Sequence, residues 1–139
     1  MTPDQRLAYL AGIVDGEGCI STHLIPNKRH IPSVYVKVVM TDARPVMLLQ
    51  TVFGGTVAGV QPRKPNHKPG YCWQVSGRRA GDVLIALMPL LLVKKEQAGK
   101  AIAIRAITGS VGKRLSEDRL NSGLAIRDEI RILNKRGVA

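Results

Sequence analysis

The chain has 139 residues, of which 45% are hydrophobic, and this length and composition favour a folded domain with one core over a disordered tail. Its 21 lysines and arginines outnumber its 10 acidic residues, which gives a formal net charge of +11. Such an excess repels itself in a compact fold and therefore indicates a polyanionic partner: nucleic acid first, an acidic membrane surface second. The longest apolar run, residues 83–93, is too short to span a bilayer.

The two cysteines, Cys19 and Cys72, match no metal-ligand spacing, and no secretory signal precedes them. We therefore expect reduced thiols that act mainly as small packing residues. The expected protein is soluble and not secreted, lies in the cytoplasm, an organelle or the nucleoid, and does not bind membranes.

The first half of the chain predicts a helix, a hairpin and a second helix. Apolar residues recur at helical spacing over residues 4–16, and glycines at 16 and 18 end that helix. β-Branched residues and alternation predict strands at 19–25 and 33–40, around a basic, proline-bounded tip at 26–32. Asp42 is a good N-cap for the second helix, which Gly54 and Gly55 stop.

The second half predicts another hairpin and then helices. Strands at 56–61 and 71–76 flank a second basic tip at 62–70, and helices follow at 79–92, 94–108 and 116–135, the first of them bent near Pro89. This order predicts an α+β fold with a four-stranded antiparallel, saddle-shaped sheet and helices on one face. No linker divides the chain, so we expect one domain over residues 1–139: a first helix (4–16), a sheet (18–76) and a helical part (79–136).

Basic residues concentrate in the predicted sheet, where Asp42 is the only acid between residues 18 and 79. One sheet face would pack on helices, with Tyr71, Trp73 and Val75 in its last strand, and the other would meet DNA or remain a solvated face. On double-stranded DNA the strands would contact bases and the tips phosphates. The candidate DNA-binding residues are Ser21, His23, Ile25, Asn27, Lys28, Arg29, His30, Ser33, Tyr35, Lys37, Gln61, Arg63, Lys64, Asn66, His67, Lys68, Cys72 and Gln74.

The faces of strand 56–61 stay open at this point. Gly59 and the flanking prolines allow a bulge. A bulge would exchange Ala58 and Val60 with Gly59 and Gln61 between the two faces.

Residues 10–18 read Leu-Ala-Gly-Ile-Val-Asp-Gly-Glu-Gly and contain two unfavourable choices. Gly12 costs a helix about 1 kcal/mol relative to alanine, although with Ala8 it makes a smooth stripe that another backbone could approach. Asp15 and Glu17 lie at the negative end of the helix dipole, where acids are disfavoured by about 0.3–1 kcal/mol. A divalent cation or a specific buried hydrogen bond would offset that cost.

This segment resembles the LAGLIDADG signature of homing endonucleases and related intron maturases. Only positions 13, 14, 16 and 17 differ, by apolar, small or acid-for-acid changes. The predicted order of elements is also similar to the family's αββαββαα fold. Because one motif is present, the resemblance implies a homodimer that pairs its helices at Ala8 and Gly12 on a long, pseudo-palindromic DNA site.

The resemblance implies a site-specific endonuclease that hydrolyses phosphodiesters with Mg²⁺ (or Mn²⁺) and leaves short 3′ overhangs. Glu17 and the Gly16 carbonyl match the family's metal ligands, and Asp15 matches the first, usually structural, acid. Lys94 matches a lysine near the scissile phosphate, with a solvated helix start as the alternative. Asp42 matches a residue that holds the attacking water, with a plain N-cap as the alternative.

Two other functions remain open from the sequence. One is an intron maturase or a catalytically inactive DNA- or RNA-binding protein, and the other is a basic RNA-binding structural protein. The acid at position 17 favours cleavage, because RNA binding alone does not need a carboxylate there. No glycine-rich phosphate loop predicts a nucleotide cofactor, and the three histidines lack zinc-type spacing.

Overall fold

The computed structural model describes residues 1–26, 29–109 and 114–136. Its elements are α1 (Pro3–Glu17), β1 (Gly18–Ile25), β2 (Ile31–Met40), α2 (Ala43–Phe53), β3 (Thr56–Val60), β4 (Gly70–Ser76), α3 (Gly77–Leu87), a 3-10 helix (Met88–Leu90), α4 (Lys95–Thr108) and α5 (Glu117–Arg136). This order confirms the predicted α+β arrangement, with three α-helices after the second hairpin. None of the helices in the described ranges is long and apolar enough to cross a membrane.

Local signals define both ends of α1. A capping box begins it: the Thr2 hydroxyl accepts a hydrogen bond from the Gln5 N–H (3.1 Å), and the Gln5 side chain accepts one from the Thr2 N–H (2.9 Å). The helix gives way to β1 at Gly18, where a Cβ would lie 2.6 Å from the carbonyl oxygen of Val14. Glu17 is therefore the last helical residue, one position beyond the predicted end.

The sheet has the strand order β1-β2-β4-β3, and every neighbouring pair is antiparallel. β1 pairs with β2 from Gly18 opposite Val38 to Ile25 opposite Ile31. β4 pairs with the second half of β2 on one side and with all of β3 on the other. The two hairpins thus meet at the centre of the sheet, and β1 and β3 form its edges.

One face of the sheet forms the core with the helices. Its buried residues include Ile20, Val34, Val36, Val38, Trp73 and Val75, and the helices add, among others, Leu10, Ala11, Val14, Leu49, Leu84, Leu87, Ile104 and Ile130. Fully burying a leucine, isoleucine or valine side chain contributes about 1.5–3 kcal/mol, so this alternation determines which face remains open. Tyr71 was predicted in the core, but it is 40% exposed because it lies at the end of the β2–β4 pairing.

Several boundaries differ from the predicted ones by a few residues, and three of the differences have a clear structural setting. β2 extends back to include Pro32, which is tolerated because β1 is its only neighbouring strand at that point. α3 ends at Leu87, and the chain tightens into the 3-10 helix because Pro89 has no N–H to donate. β3 ends at Val60 and pairs regularly with β4, without the bulge that Gly59 would allow.

The turn before β3 generates a prediction about stability. Gly55 has φ +95°, and a Cβ there would lie 2.6 Å from Val75 Cγ1 and 2.8 Å from the Gln74 carbonyl oxygen. We expect Gly55→Ala to lower the free energy of unfolding by about 2–4 kcal/mol, because strain and overpacking add. Gly59→Ala is the matched control, since a Cβ there meets nothing within 4 Å. Urea unfolding measures both variants, and equal midpoints would contradict this account of the turn.

Candidate functional site

Asp15 connects the end of α1 to the start of α4. Its carboxylate accepts hydrogen bonds from three successive backbone N–H groups, those of Leu92 (2.8 Å), Val93 (3.2 Å) and Lys94 (3.1 Å). The first two of these groups lie in the segment that leads into α4, and the third belongs to Lys94, the N-cap of α4, where N–H groups lack a partner within the helix and the positive end of the helix dipole lies. The acid that is disfavoured at the end of α1 is therefore stabilised by the start of α4.

Lys94 completes this connection in the opposite direction. Its ammonium group donates a hydrogen bond to the backbone carbonyl of Asp15, and its side chain is half-buried. A cation at the C-terminal end of α1 also interacts favourably with the negative end of that helix dipole. The Lys94 ammonium group is therefore held at the end of the motif, at Asp15, which precedes Glu17 by two residues. It is not freely solvated. Its catalytic role stays a prediction.

Glu17 and Gly16 offer oxygen ligands at the junction of α1 and β1. Both residues are exposed, and the Gly16 carbonyl belongs to the last turn of α1, where carbonyls lack partners within the helix. Within the described ranges no three His, Cys, Asp or Glu side chains form a metal-binding group. At this junction the donors are therefore the exposed carboxylate of Glu17 and the backbone carbonyl of Gly16. This donor set fits Mg²⁺, which binds one or two carboxylates and keeps positions for water and phosphate.

One side of α1 is exposed and made of small residues. Ala8, Gly12 and Gly16 are exposed at intervals of four residues, and a Cβ at either glycine would meet nothing within 4 Å. The opposite side of the helix is buried in the core through Leu10 and Val14. We call the exposed side, residues 8, 12 and 16, the outer face of α1.

Asp42 caps α2 and pairs with Arg44. Its carboxylate accepts a hydrogen bond from the Arg44 N–H (3.0 Å) and forms an ion pair with the guanidinium group (2.6 Å). These bonds lower the pKa of Asp42 from 3.8 to about 2, with the side-chain bond to Arg44 as the main cause. The N-cap alternative is therefore confirmed, and a role in holding water stays a prediction.

The other side of the sheet is a surface of mixed polar and apolar side chains, which we call the open face. Cross-strand pairs place Ser21 opposite Tyr35 and Lys37 opposite Gln74, and the His23 ring lies 6.0 Å from the Tyr35 ring. The structure thus brings together eight predicted residues: Ser21, His23, Ile25, Ser33, Tyr35, Lys37, Cys72 and Gln74. The same register adds residues that were not predicted as DNA contacts, namely Cys19, Ile31, Val39, Thr56, Ala58, Val60 and Ser76. The sequence does contain a signal for Cys19: it lies two residues before Ser21, and residues two apart in a strand share one face of the sheet.

The second tip, residues 61–69, carries several of the predicted phosphate contacts. Its members Arg63, Lys64, Asn66, His67 and Lys68 are all exposed. Gln61 lies just beyond β3, outside the ladder of the sheet, and lines a cleft of about 280 Å³ together with this tip. Gln61 therefore belongs to the tip rather than to the strand that was predicted for it.

The first tip connects β1 and β2 and differs from the prediction at Arg29. The guanidinium of Arg29 donates to the Leu115 carbonyl (2.6 Å) and to Glu117 Oε1 (2.7 Å), so it is directed to the start of α5. Its partners are 86 and 88 residues away, a distance over which the sequence pattern gives no signal. His30 is exposed, whereas the predicted contacts Asn27 and Lys28 lie outside the described residues.

Comparisons with known proteins identify the fold. No model of a known family and no curated protein matches the sequence. Among solved structures, the homing endonuclease I-CvuI in complex with its target in the presence of calcium aligns with a TM-score of 0.73 at 24% identity, over 93% of this chain and 82% of that chain. An archaeal intron-encoded homing endonuclease complexed with DNA aligns with a TM-score of 0.71 at 16% identity, over 94% and 84%. The chain has the homing-endonuclease fold.

The homing-endonuclease fold also matches part of a longer nuclease. The meganuclease I-SmaMI bound to DNA aligns with a TM-score of 0.69 at 16% identity. The alignment covers 93% of this chain but 45% of I-SmaMI. The longer chain thus has the length for two domains of this size.

The Asp42–Arg44 pair generates a prediction about pH. We expect Arg44→Ala to raise the pKa of Asp42 from about 2 towards 3.8, because the main stabilising partner of the carboxylate is removed. A carboxylate whose pKa is lowered by folding stabilises the folded state above its unfolded pKa, and this contribution disappears as the pH falls towards 2. NMR titration of the carboxyl carbon measures the shift, with Lys135→Ala as a control. A midpoint near 3.8 in the unaltered protein would refute the pairing.

Proposed function

We propose that this chain is a site-specific double-strand DNA endonuclease that acts as a homodimer with a divalent cation. The observation that carries the proposal is the end of α1, where Glu17 has an exposed carboxylate and the Lys94 ammonium group is bound to the backbone carbonyl of Asp15, two residues earlier in the helix. This point lies at the start of β1 and hence at one end of the open face. The shared fold with endonucleases that were solved on DNA supports the same activity.

The polar side chains of the open face and the basic residues of the second tip suit duplex DNA. A β-ribbon or sheet fits the major groove, where polar side chains such as Ser21 and Gln74 distinguish base pairs by hydrogen bonding. Lysine and arginine supply phosphate contacts, and the exposed second tip contains three of them, Arg63, Lys64 and Lys68. We therefore propose the open face and both tips as the DNA interface.

Two features support a homodimer. The outer face of α1 lets a second helix approach closely, because Gly12 has no side chain and its neighbourhood within the chain is empty. The alignment covers 45% of I-SmaMI, so two copies of this chain would be needed to form a surface as long as that of I-SmaMI. A twofold pair would read a long, pseudo-palindromic target and would bring the two Glu17 residues close together.

The proposed reaction uses few side chains. Glu17 and the Gly16 carbonyl would hold the cation, Mg²⁺ in our proposal, together with phosphate oxygens and water. A divalent cation supplies Lewis-acid chemistry there, since it polarises the scissile phosphate and makes water a better nucleophile. Lys94 adds positive charge beside that phosphate. Two adjacent Glu17 sites would cut opposite strands at closely spaced positions, which fits short 3′ overhangs.

Glu17→Gln tests the site assignment. The change removes the charged ligand and keeps the side-chain length, so we expect cleavage to fall by about 10³-fold or more while DNA affinity without metal is retained. Glu129→Gln is the matched control, because it makes the same change at a residue of α5 that forms an exposed ion pair with Lys100 and was not predicted in the site. The substrate is a randomised duplex pool with Mg²⁺, and the ends that form are sequenced.

Three outcomes of this experiment separate the alternatives. Binding without cleavage by the unaltered protein would favour a maturase or an inactive binding protein over the enzyme. Cleavage that persists in Glu17→Gln would refute the site. Ends without short 3′ overhangs would refute the spacing of the two sites.

Gly12→Leu tests the dimer. We expect the subunit to stay folded, because nothing lies within 4 Å of the new Cβ, whereas the bulk on the outer face of α1 would separate the two copies. Sedimentation should show a monomer, and double-strand cleavage should disappear with it. Ala125→Leu, at an exposed position of α5, adds the same side chain elsewhere and should leave the dimer intact. A dimeric, fully active Gly12→Leu protein would exclude the proposed interface.

A further inference from the structure

The C-terminal helix α5 lies along the first hairpin and contacts it at three levels. At the tip, the side chain of Arg29 binds the segment that leads into α5. Further along, a Cβ at Gly123 would lie 3.4 Å from Pro32 Cγ, so helix and strand approach closely. Near the other end, Asn134 Nδ2 donates to the Ile20 carbonyl of β1 (3.0 Å). The helix and β1 are thus antiparallel neighbours from the tip to the base of the hairpin.

Arg29 is the contact that bears on the shape of the tip. Its side chain is 28% exposed, and its two bonds engage two of the three guanidinium nitrogens. Arg29 and His30 both have left-handed backbone conformations, with φ +57° and +55°. Residues such as arginine rarely adopt this region, so a contact from outside the turn helps to hold it. The bonds from Arg29 to the start of α5 provide that contact.

We infer that Arg29 is a positioning residue, which with Glu117 fixes the first tip over the outer end of each DNA half-site, and that it is not a phosphate contact. The inference rests on the proposed function, because it assigns the tip to DNA. β1 has eight residues and starts beside the outer face of α1. At about 3.3 Å per residue the tip lies roughly 26 Å further out. Its side chains, among them His30, therefore meet base pairs far from the cleavage point.

The charge of Arg29 supports this role. Glu117 neutralises it at 2.7 Å, so a phosphate could bind Arg29 only by displacing a carboxylate and a carbonyl oxygen. A residue that keeps its own counter-charge releases no counterion from DNA. The salt dependence of DNA binding therefore distinguishes a positioning residue from a phosphate contact.

The first measurement is the slope of log affinity against log salt on a mixed-sequence duplex without metal. A lost phosphate contact lowers the slope by about 0.9 per subunit, hence about 1.8 for a dimer. We expect this change for Lys64→Gln of the exposed second tip and no change for Arg29→Gln. A fall of the slope for Arg29→Gln similar to that for Lys64→Gln would overturn the inference.

The second measurement is base preference, obtained by selecting bound duplexes from a randomised pool without metal. Arg29→Gln and Glu117→Gln should both lose about tenfold of the preference at the same outer base pairs and keep the central ones. Arg29→Lys keeps the charge but cannot reproduce the two-pronged geometry, so it should lose the outer preference as well. A preference retained by Arg29→Lys would point to charge alone and would overturn the inference.

Glu117→Gln distinguishes the two possible roles of Arg29, because a phosphate contact and a positioning residue predict different DNA affinities for this variant. A freed phosphate-binding arginine would make this variant bind the mixed-sequence duplex more tightly than Glu129→Gln, which carries the same change of charge elsewhere on α5. Equal affinity of the two variants, with outer preference lost only in Glu117→Gln, is the expected result. These readouts need no cleavage, so an inactive protein would refute the proposed enzyme and leave this inference standing. Absence of any outer preference in the unaltered protein would overturn it.

Discussion

The exchange of hydrogen bonds between Asp15 and residues 92–94 is the constraint on which the proposed site depends. One carboxylate binds three backbone N–H groups at the start of α4, and Lys94 returns a bond to the carbonyl of the same residue. These bonds join segments 77–79 residues apart at the helix end that carries Glu17. The end of α1, which carries the Glu17 carboxylate that we propose as a ligand, is therefore fixed against the segment that carries the Lys94 ammonium group. A hydrogen bond to a charged acceptor contributes about 1.5–3 kcal/mol, so the bonds to the Asp15 carboxylate are strong enough to hold the two segments together.

The alternation of side chains along the strands gives the sheet one face that packs in the core and one that forms the open face. Even-numbered residues of β2 are buried under the helices, while odd-numbered ones such as Tyr35 and Lys37 form the open face. A slip of one residue would exchange the two sets, so register is as important for the proposed function as any side chain. Trp73 of β4 helps to fix the register between β3 and β4, because its buried ring donates a hydrogen bond to the carbonyl of Gly54, just before β3 (2.8 Å).

Local patterns predicted most of this arrangement. The motif helix, the four strands and the faces of β1, β2 and β4 follow from spacing and alternation, which act over a few residues. The partners of Asp15 and Arg29 did not follow, because both side chains bind segments more than 70 residues away. β3 stayed open because Gly59 permits both a regular strand and a bulge, and only pairing with β4 decides between them. The link between Asp42 and Arg44 spans two residues, but an N-cap pattern alone does not indicate an ion pair.

The antiparallel order of β2 and β4 places the two tips at opposite ends of the sheet, since Met40 pairs with Tyr71 while Ile31 lies beside the first tip. Changes at sites so far apart combine additively when they share no partner. If the sheet binds DNA as we propose, changes in the two tips would therefore alter target choice independently of each other. The first tip is not self-contained, however, because its anchor lies on α5. A graft that transfers the first tip to another scaffold must also carry the residues around Leu115 and Glu117.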